Sequence, residues 1–422
     1  MFQGKNILLG IGGGIAVYRV AELARLLIKQ GAKVRCVMTA SACEFVTPLT
    51  FEALTGEAVH TDLFDLTSER DNLAGQPNWT GEVCRNAGRN MDVEHQMGHI
   101  QLARWADAVL IAPATSNLIA KLAHGIADDL LTTMMQVCDT PVLLAPAMNA
   151  SMWESAATQR NLHTLQADSF SVIEPASGAL ACGEQGIGRL PEPQALADAI
   201  LPLLLPQALR GQHWIINAGP TLEDWDAVRV LTNRASGTLG ARLAQYASAM
   251  GANVTLIAGV GTPHLGCGVQ RVDVKTGDEM LQACTQVAQC ADVFIGTAAV
   301  SDFRFANVSD KKIKRGDAQQ LDVQLTANTD IVASIAGMKH RPKKVIAFAA
   351  ESEKHIAYAK VKLQKKGVDA IVANDVRNMD SDTASGWWIV DGKQGIHEES
   401  IEKCNKIQFS QEIIKKVMEL KP

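Results

Sequence analysis

The sequence predicts an α/β protein with two open, mostly parallel sheets, one in each half of the chain. Short continuous apolar runs at 108–112 and 142–145 are typical of strands that are buried on both faces. Segments with helical periodicity separate such runs, and a strand–helix–strand crossover is right-handed and makes its two strands parallel. With 422 residues the chain is long enough for two domains, each with its own core.

The first half begins with a strand at 7–10, and three glycines separate this strand from a helix. The helix carries its apolar residues on one face, and Gly31 is predicted to cap its C-terminus. A second strand follows at 34–38. The two apolar runs named above then supply further strands of the same sheet.

The second half repeats this arrangement. A strand is predicted at 213–217, a helix at 238–250 and a strand at 254–257. Further apolar runs predict strands at 269–274, 293–296, 345–348 and 370–372. Helical stretches separate several of these runs, so the pattern predicts a second open α/β sheet.

Four prolines punctuate the chain between the two halves. We therefore predict a first domain at 1–190, a linker at 191–211 and a second domain at 212–422. A polar stretch at 65–94 is a second irregular region, and a loop of that length is either functional or disordered.

The composition excludes several classes of protein. Hydrophobic residues make up 47% and charged residues 20%, which is typical of a folded soluble protein and not of a disordered one. The sequence contains no apolar run long enough for a transmembrane helix and no signal peptide at its start, so we expect a cytoplasmic protein. Nine cysteines without a Cys-x-x-Cys pair indicate reduced thiols.

The net charge of −5 gives no reason to expect nucleic-acid or membrane binding. The charge is uneven, because the first 200 residues carry a net −8 and the remainder a net +3. Surface variation explains such a difference, and so does a second half that binds a more anionic ligand.

Candidate binding residues of the first half follow its strands. Gly12, Gly13 and Gly14 lie between a strand and a helix, where backbone N–H groups can bind a phosphate; the alternative is a tight turn without a ligand. Thr115, Ser116 and Asn149 follow the next two strands, where open α/β sheets bind ligands. Helix capping or turn formation is the alternative for these three.

Two further residues of the first half can carry proton transfer. His99 is predicted to lie early in a helix, either as a proton-transfer residue or as a structural histidine. A zinc site with His95 is disfavoured, since no third ligand is evident. Cys182 lies in a glycine-rich segment at 181–189, which is either a mobile flap that carries a reactive thiol or a plain loop.

In the second half, Asn233 lies in a loop that leads into a helix, a position that supplies backbone donors to an anion. A cationic cluster occupies 311–315 and is either a solvated loop or a group of charges that stabilises a triphosphate. Asp302 is a candidate magnesium ligand.

The order of these motifs resembles the bacterial bifunctional coenzyme A biosynthesis family, in which a phosphopantothenoylcysteine decarboxylase is joined to a phosphopantothenate–cysteine ligase. The resemblance spans nearly the whole chain. In the first half it rests on the residues at 13–16, 97–99, 112–115, 146–149 and 181–183. In the second it rests on those at 218–221, 233–237, 298–300, 312–314, 348–351 and 373–376.

For the first domain the resemblance implies a Rossmann-like, flavodoxin-like flavoprotein that binds FMN through Gly13, Gly14, Ile15, Ala16, Thr39, Ala114, Thr115 and Ser116. FMN would oxidise the thiol carbon of phosphopantothenoylcysteine to a thioaldehyde, so that carbon dioxide can leave as an enethiol forms, and reduced FMN would return the hydride to give 4′-phosphopantetheine. By resemblance, His99 is the base, Asn149 holds the substrate carboxylate and Cys182 donates a proton.

For the second domain the resemblance implies a nucleotide-binding ligase that uses CTP and Mg²⁺. It would convert 4′-phosphopantothenate into an acyl-cytidylate, which cysteine then attacks. Asn233 would position this intermediate and Lys312 would help to form it. The other residues implied in substrate or CTP binding are Ala298, Asp302 (also the magnesium ligand), Lys314, Asp330, Ile331 and Phe348.

The family also implies a homo-oligomer, with decarboxylase trimers that carry FMN at subunit contacts and assemble into dodecamers, and with paired ligase domains. Several positions depart from the family pattern: Gly12, Ala235, Thr238, Arg315, Ala327 and Thr329. Two alternative functions therefore stay open. One is a flavin decarboxylase with an impaired ligase half, and the other is a non-catalytic regulatory paralogue that binds flavin or nucleotide.

Overall fold

The structure is a computed structural model that describes residues 1–63, 98–179, 183–266, 268–314, 320–351, 355–375, 381–392 and 395–421. The chain forms two compact units, Met1–Leu204 and Leu205–Pro422. Within the described ranges, no helix is both long and apolar enough to cross a membrane.

The first unit is built on a six-stranded parallel sheet with the order β3-β2-β1-β4-β5-β6. A separate antiparallel hairpin consists of β7 and β8. The strands are β1 (Asn6–Ile11), β2 (Lys33–Met38), β3 (Val59–His60), β4 (Ala108–Ala114), β5 (Val142–Pro146), β6 (Ser171–Val172), β7 (Ala176–Ala179) and β8 (Gln185–Arg189).

The helices of the first unit cover its sheet. They are α1 (Val17–Lys29), α2 (Ala40–Cys43), α3 (Pro48–Thr55), α4 (Gly98–Trp105), α5 (Ser116–Ala123), α6 (Leu130–Met135), α7 (Ala150–Glu154), α8 (Ala156–Ala167) and α9 (Pro193–Leu204). The apolar face of α1 is buried, as its periodicity predicts. Helix α9 occupies most of the stretch predicted as a linker and belongs to the first unit.

The second unit is built on an eight-stranded sheet with the order β13-β12-β9-β14-β17-β18-β19-β20. Its strands are parallel except for β19 and β20, which add as an antiparallel pair at one edge. The strands of this unit are β9 (His213–Ala218), β10 (Leu222–Asp224), β11 (Val230–Thr232), β12 (Asn253–Ala258), β13 (Val269–Asp273), β14 (Val293–Gly296), β15 (Phe303–Phe305), β16 (Leu325–Ala327), β17 (Lys344–Glu351), β18 (Ala370–Asp375), β19 (Thr383–Gly392) and β20 (Gly395–Asn405).

Helices and two short ribbons complete the second unit. The helices are α10 (Thr238–Ala249), α11 (Gly277–Ala288), α12 (Ile331–Ala336), α13 (His355–Lys366) and α14 (Lys406–Glu419). Strands β10 and β11 form one antiparallel ribbon, and β15 and β16 form the other. Apolar side chains fill the space on both faces of the large sheet.

The structure confirms the prediction of two open, mostly parallel sheets and corrects some of the local predictions. Gln30 and not Gly31 is the C-cap of α1, while Gly31 follows it with a φ of +95°. The glycine-rich segment that was predicted as a flap or loop is structured over Gln185–Arg189, because this stretch pairs with β7. The predicted strands of both halves are present, each within three residues of its expected bounds, and the largest differences are at the ends of β17 and β18.

Candidate functional site

A cavity of about 1030 Å³ lies in the first unit at the carboxyl ends of the parallel strands. The strand order changes direction between β1 and β4, and open α/β sheets bind ligands at such a switch point. The lining includes Asn149 and most of the predicted cofactor residues, namely Gly13, Gly14, Ile15, Ala16, Thr39, Thr115 and Ser116. The residues that sequence reasoning selected separately therefore meet around one space.

The glycine loop between β1 and α1 packs so closely that it excludes side chains at two positions. A Cβ on Gly12 would lie 2.3 Å from the carbonyl oxygen of Pro113, and one on Gly13 would lie 2.3 Å from Cβ of Ser41. The loop leads into α1, whose N-cap is Ala16 and therefore supplies no side-chain acceptor. The N-terminus of this 13-residue helix lies at the cavity, since Ile15, Ala16 and Tyr18 line it, and a helix N-terminus is suited to a phosphate.

Hydroxyl groups that line the cavity beside the glycine loop have structural contacts of their own. Thr39 caps α2, and its Oγ1 accepts a hydrogen bond from the Ala42 amide at 3.2 Å. Thr115 caps α5 by accepting from the Leu118 amide at 3.3 Å. These contacts fix the orientation of both threonines at the cavity. Both side chains therefore cap a helix and at the same time line the cavity that is predicted to bind the cofactor.

Asn149 is the N-cap of α7 on the cavity wall. Its Oδ1 accepts a hydrogen bond from the Ser151 amide at 2.8 Å, which orients the side chain. Its Nδ2 donates to Oε2 of Glu184 at 2.7 Å, and Glu184 directly precedes β8. The amide of Asn149 is therefore presented as a donor that already binds a carboxylate.

Two predicted residues of the first half, Ala114 and His99, are not among the lining residues of this cavity. Ala114 ends β4 and is fully buried, and His99 lies in the first turn of α4. Cys182 lies outside the described residues, as do His95 and the stretch at 65–94. The roles predicted for these residues stay predictions.

The loop after β14 is held by Asn217 at the end of β9. The buried side chain of Asn217 accepts hydrogen bonds from the amides of Thr297 and Ala298, at 2.9 and 3.1 Å. Nδ2 of Asn233 donates to the carbonyls of Ala299 and Val300, at 3.2 and 3.0 Å. Since the strand order changes direction between β9 and β14, Ala298 and Asn233 meet at the switch point of the second sheet.

Asp330 and Ile331 lie where α12 begins. Asp330 caps this helix, and its Oδ2 lies 2.7 Å from Nζ of Lys366. Burial raises the pKa of Asp330. The hydrogen bonds from Lys366 and the Ala333 amide together lower the pKa by more than burial raises it, so the pKa lies below its ordinary value. Ile331 is buried in the core, and Phe348 is half-buried on β17.

Sequence reasoning missed two cations beside these residues. Lys366 pairs with Asp330, and Lys362 pairs with Glu351 at 2.6 Å. Both lysines lie on α13, four residues apart and therefore on one face of the helix. This spacing is visible in the sequence, but the acidic partners follow only from the fold.

Lys312 and Lys314 are exposed and flank Ile313, while the neighbouring Arg315 lies outside the described residues. Asp302 exposes its carboxylate, and its carbonyl accepts a hydrogen bond from the Asn328 amide at 2.8 Å. No cluster of three or more His, Cys, Asp or Glu side chains suited to a metal ion occurs in the described part of the chain.

Two protein families match the chain and divide it between them. The family described as Flavoprotein matches residues 1–205. The family described as DNA/pantothenate metabolism flavoprotein C-terminal domain matches residues 209–420. The two matches fall on the two compact units.

Curated relatives from several bacteria are similar to nearly the whole chain, and all bear the name Coenzyme A biosynthesis bifunctional protein CoaBC. The relative from Vibrio vulnificus (strain YJ016) is 39% identical over 99% of this chain and 98% of its own. The relative from Bacillus subtilis (strain 168) is 38% identical over 100% and 98%, and that from Escherichia coli (strain K12) is 40% identical over 88% and 86%. A solved C-terminal domain of a protein of the same name is 32% identical, covers 50% of this chain and 96% of its own, and has a TM-score of 0.42.

Proposed function

Because the chain belongs to the family of bifunctional coenzyme A biosynthesis proteins, we propose that its second unit joins 4′-phosphopantothenate to cysteine with CTP and that its first unit decarboxylates the product with FMN. The observation that carries the proposal is the meeting of predicted residues at the switch point of each sheet. The first unit contributes a flavoprotein cavity, and the second contributes a loop cluster with cations near it.

The cavity of the first unit fits FMN in size and donor chemistry. Its volume of about 1030 Å³ is that of a pocket for a cofactor-sized ligand. Gly13, Gly14, Ile15 and Ala16 would hold the phosphate with backbone N–H groups at the N-terminus of α1, while Thr39, Thr115 and Ser116 offer hydroxyls. When bound, FMN supplies the two-electron redox chemistry that decarboxylation of a thiol-bearing carboxylic acid requires.

Asn149 is suited to hold the substrate carboxylate that leaves as carbon dioxide. Its Nδ2 donates to a carboxylate in this structure, that of Glu184, and its cap contact with Ser151 keeps the amide oriented. Substrate binding would replace Glu184 by the carboxylate of phosphopantothenoylcysteine. The contact with Glu184 thus supports the assignment of Asn149.

Assembly of several copies is part of the proposal. His99 does not line the cavity of its own chain, so we assign its role as base to the cavity of a neighbouring copy. Two apolar side chains that line the cavity, Ile15 and Tyr18, are more than half exposed in the single chain and support a subunit contact there. Phe45 and Leu49 of the same unit are at least half exposed as well.

The ligase site combines cations for the CTP phosphates with one carboxylate for the metal. Mg²⁺ is usually held by one or two carboxylates together with substrate phosphates. Asp302 is exposed and would supply one carboxylate, which fits this chemistry. Lys312 and Lys314 would stabilise the negative charge that develops on the α-phosphate and on the departing diphosphate as the cytidylyl group is transferred to the carboxylate. Lys362 and Lys366 place positive charge beside Glu351 and Asp330.

The test is a coupled mass-spectrometric assay with the full-length protein. We expect 4′-phosphopantothenate, cysteine, CTP and Mg²⁺ to give 4′-phosphopantetheine and CMP. Decarboxylation of added phosphopantothenoylcysteine without any ligation would contradict the ligase half and favour the impaired-ligase alternative. Retention of flavin without turnover in either half would favour the regulatory alternative.

Gly13→Ala is expected to weaken flavin binding, because the new Cβ would lie 2.3 Å from Cβ of Ser41 and the loop must shift. Overpacking of this kind costs about 1–3 kcal/mol, which corresponds to a loss of roughly fivefold to 150-fold in affinity. Flavin absorbance per protein and titration of the apoprotein with FMN measure the loss.

Gly14→Ala is the matched comparison, since its Cβ would make ordinary contacts at 3.5 Å with Pro113 and 3.7 Å with Thr115. We expect this variant to keep more flavin than the first. Equal flavin affinity of Gly13→Ala and the wild type would show that the glycine loop does not form the phosphate site.

A further inference from the structure

The turn between β10 and β11 makes contacts that extend beyond the turn itself. The amides of Trp225 and Asp226 donate to the Arg229 carbonyl at 2.9 and 3.2 Å, which closes the turn. The Asp226 carboxylate is fully buried and accepts hydrogen bonds from the amides of Val228 and Arg229, both at 2.8 Å. It also accepts from the Arg229 guanidinium.

One hydrogen bond of Asp226 is not local. Its Oδ2 accepts from the amide of Ile313 at 3.0 Å, across 87 positions of the chain. Arg229 holds the pKa of Asp226 well below its ordinary value, so this acceptor stays ionised at neutral pH. A buried charged acceptor makes a stronger hydrogen bond than a neutral one.

Arg229 contacts the backbone carbonyl of Ile313, whose N–H donates to Asp226. Its guanidinium donates to the Ile313 carbonyl at 2.9 Å and lies 3.8 Å above the ring of Trp225. Trp225 in turn stacks on Phe305 of β15, with ring centroids 5.6 Å apart. Ile313 is therefore fixed through both its N–H and its C=O to a turn that is braced by the second ribbon.

Ile313 lies between two exposed lysines, Lys312 and Lys314, which the proposed function assigns to the binding of CTP. A lysine side chain is long and flexible, so the reach of its ammonium group depends on where its backbone is held. A backbone anchored at Ile313 restricts both lysines to a small region before the substrate binds, and such preorganisation raises the rate of a reaction at a fixed site.

We infer that Asp226 is a positioning residue of the ligase reaction, which holds the Lys312–Ile313–Lys314 segment in place for the CTP phosphates. This inference rests on the proposed function of the second unit. Asp226 acts through the peptide of Ile313 and does not touch the substrate.

Asp226→Asn tests the inference, because an amide in this place cannot accept every hydrogen bond that the carboxylate accepts. We expect kcat for phosphopantothenate-dependent release of CMP to fall on the order of tenfold to 100-fold. We expect the KM for cysteine and the decarboxylation of added phosphopantothenoylcysteine to stay unchanged. An unchanged kcat would overturn the inference.

A double-mutant cycle with Lys312→Gln separates positioning from general destabilisation. If Asp226 acts through Lys312, Asp226→Asn causes little further loss of kcat in the Lys312→Gln background. Losses that multiply would overturn the inference, because they would show that Asp226 acts independently of this lysine. Wild-type protein without ligase activity would instead refute the proposed function itself.

Two further variants guard against a folding artefact. Asp273→Asn removes an exposed partner of Arg271 in the same unit and is expected to leave kcat unchanged. Ile313→Pro removes the backbone N–H that donates a hydrogen bond to Asp226, and it leaves the side chains of Asp226 and Arg229 unchanged. This second variant is expected to lose kcat as Asp226→Asn does, and full activity in it would overturn the inference even if Asp226→Asn fails to fold.

Discussion

Asn149→Asp is expected to lose decarboxylation of phosphopantothenoylcysteine while CTP-dependent ligation continues. The change replaces the Nδ2 donor by a second carboxylate at a place where Asn149 binds the carboxylate of Glu184 at 2.7 Å. The substrate carboxylate would meet a like charge in place of a donor, and loss of one such preorganised donor lowers kcat on the order of 100-fold to 1,000-fold. The assay follows 4′-phosphopantetheine from added phosphopantothenoylcysteine.

An aspartate keeps the oxygen that caps α7 through the Ser151 amide, so the helix retains its N-cap. Asn405→Asp is the control, since Asn405 is also the N-cap of a helix, α14 in the second unit, and accepts from the Gln408 amide at 2.9 Å. It should be active in both reactions. Normal decarboxylation by Asn149→Asp would show that this amide does not hold the substrate carboxylate.

The central strands of both sheets could be predicted because their apolar pattern leaves no alternative. Strand β4 is buried over all seven residues and β14 over all four, and such runs are typical of strands covered on both faces. Strand β20 carries no comparable signal, because it lies at the sheet edge and most of its side chains are exposed. The strands of the two ribbons have three residues each, which is too short for a periodicity to appear.

The functional residues also divide into those that the sequence allows to be predicted and those that only the fold reveals. Gly13 and Thr115 could be selected because their places after strands follow from the order of elements along the chain. Asp226 could not, since its contact with Ile313 joins positions 87 residues apart. The same holds for the pairing of Lys366 with Asp330, because the charge pattern of α13 shows the lysines but not their partners.

Lys312→Gln is expected to slow the ligase reaction strongly, to a residual rate that can still be measured, and to spare the decarboxylase. Glutamine keeps most of the length of lysine but has no positive charge, so the CTP phosphates lose a cation as charge develops during transfer of the cytidylyl group and departure of diphosphate. Loss of a cation in such a role lowers the rate on the order of 1,000-fold. The measurement is CMP release in the presence of 4′-phosphopantothenate, with decarboxylation of added phosphopantothenoylcysteine as the internal reference.

Lys311→Gln is the control that separates the position of the cation from the overall charge of the segment. Lys311 is also exposed and adjacent in the chain, so it contributes nearly the same net charge to the segment. Its peptide is held by Ser309 Oγ, through hydrogen bonds of 2.7 Å at the carbonyl and 3.3 Å at the amide. Ser309 donates its own backbone N–H to the Trp225 carbonyl at 3.1 Å, so Lys311 is joined to the turn through Ser309 and makes no hydrogen bond with Asp226 in the described structure. If only the overall charge of the segment mattered, both variants would lose activity equally. A large loss in Lys312→Gln with near wild-type activity in Lys311→Gln would show that the position of the cation decides the rate, which is what a segment anchored at Ile313 provides.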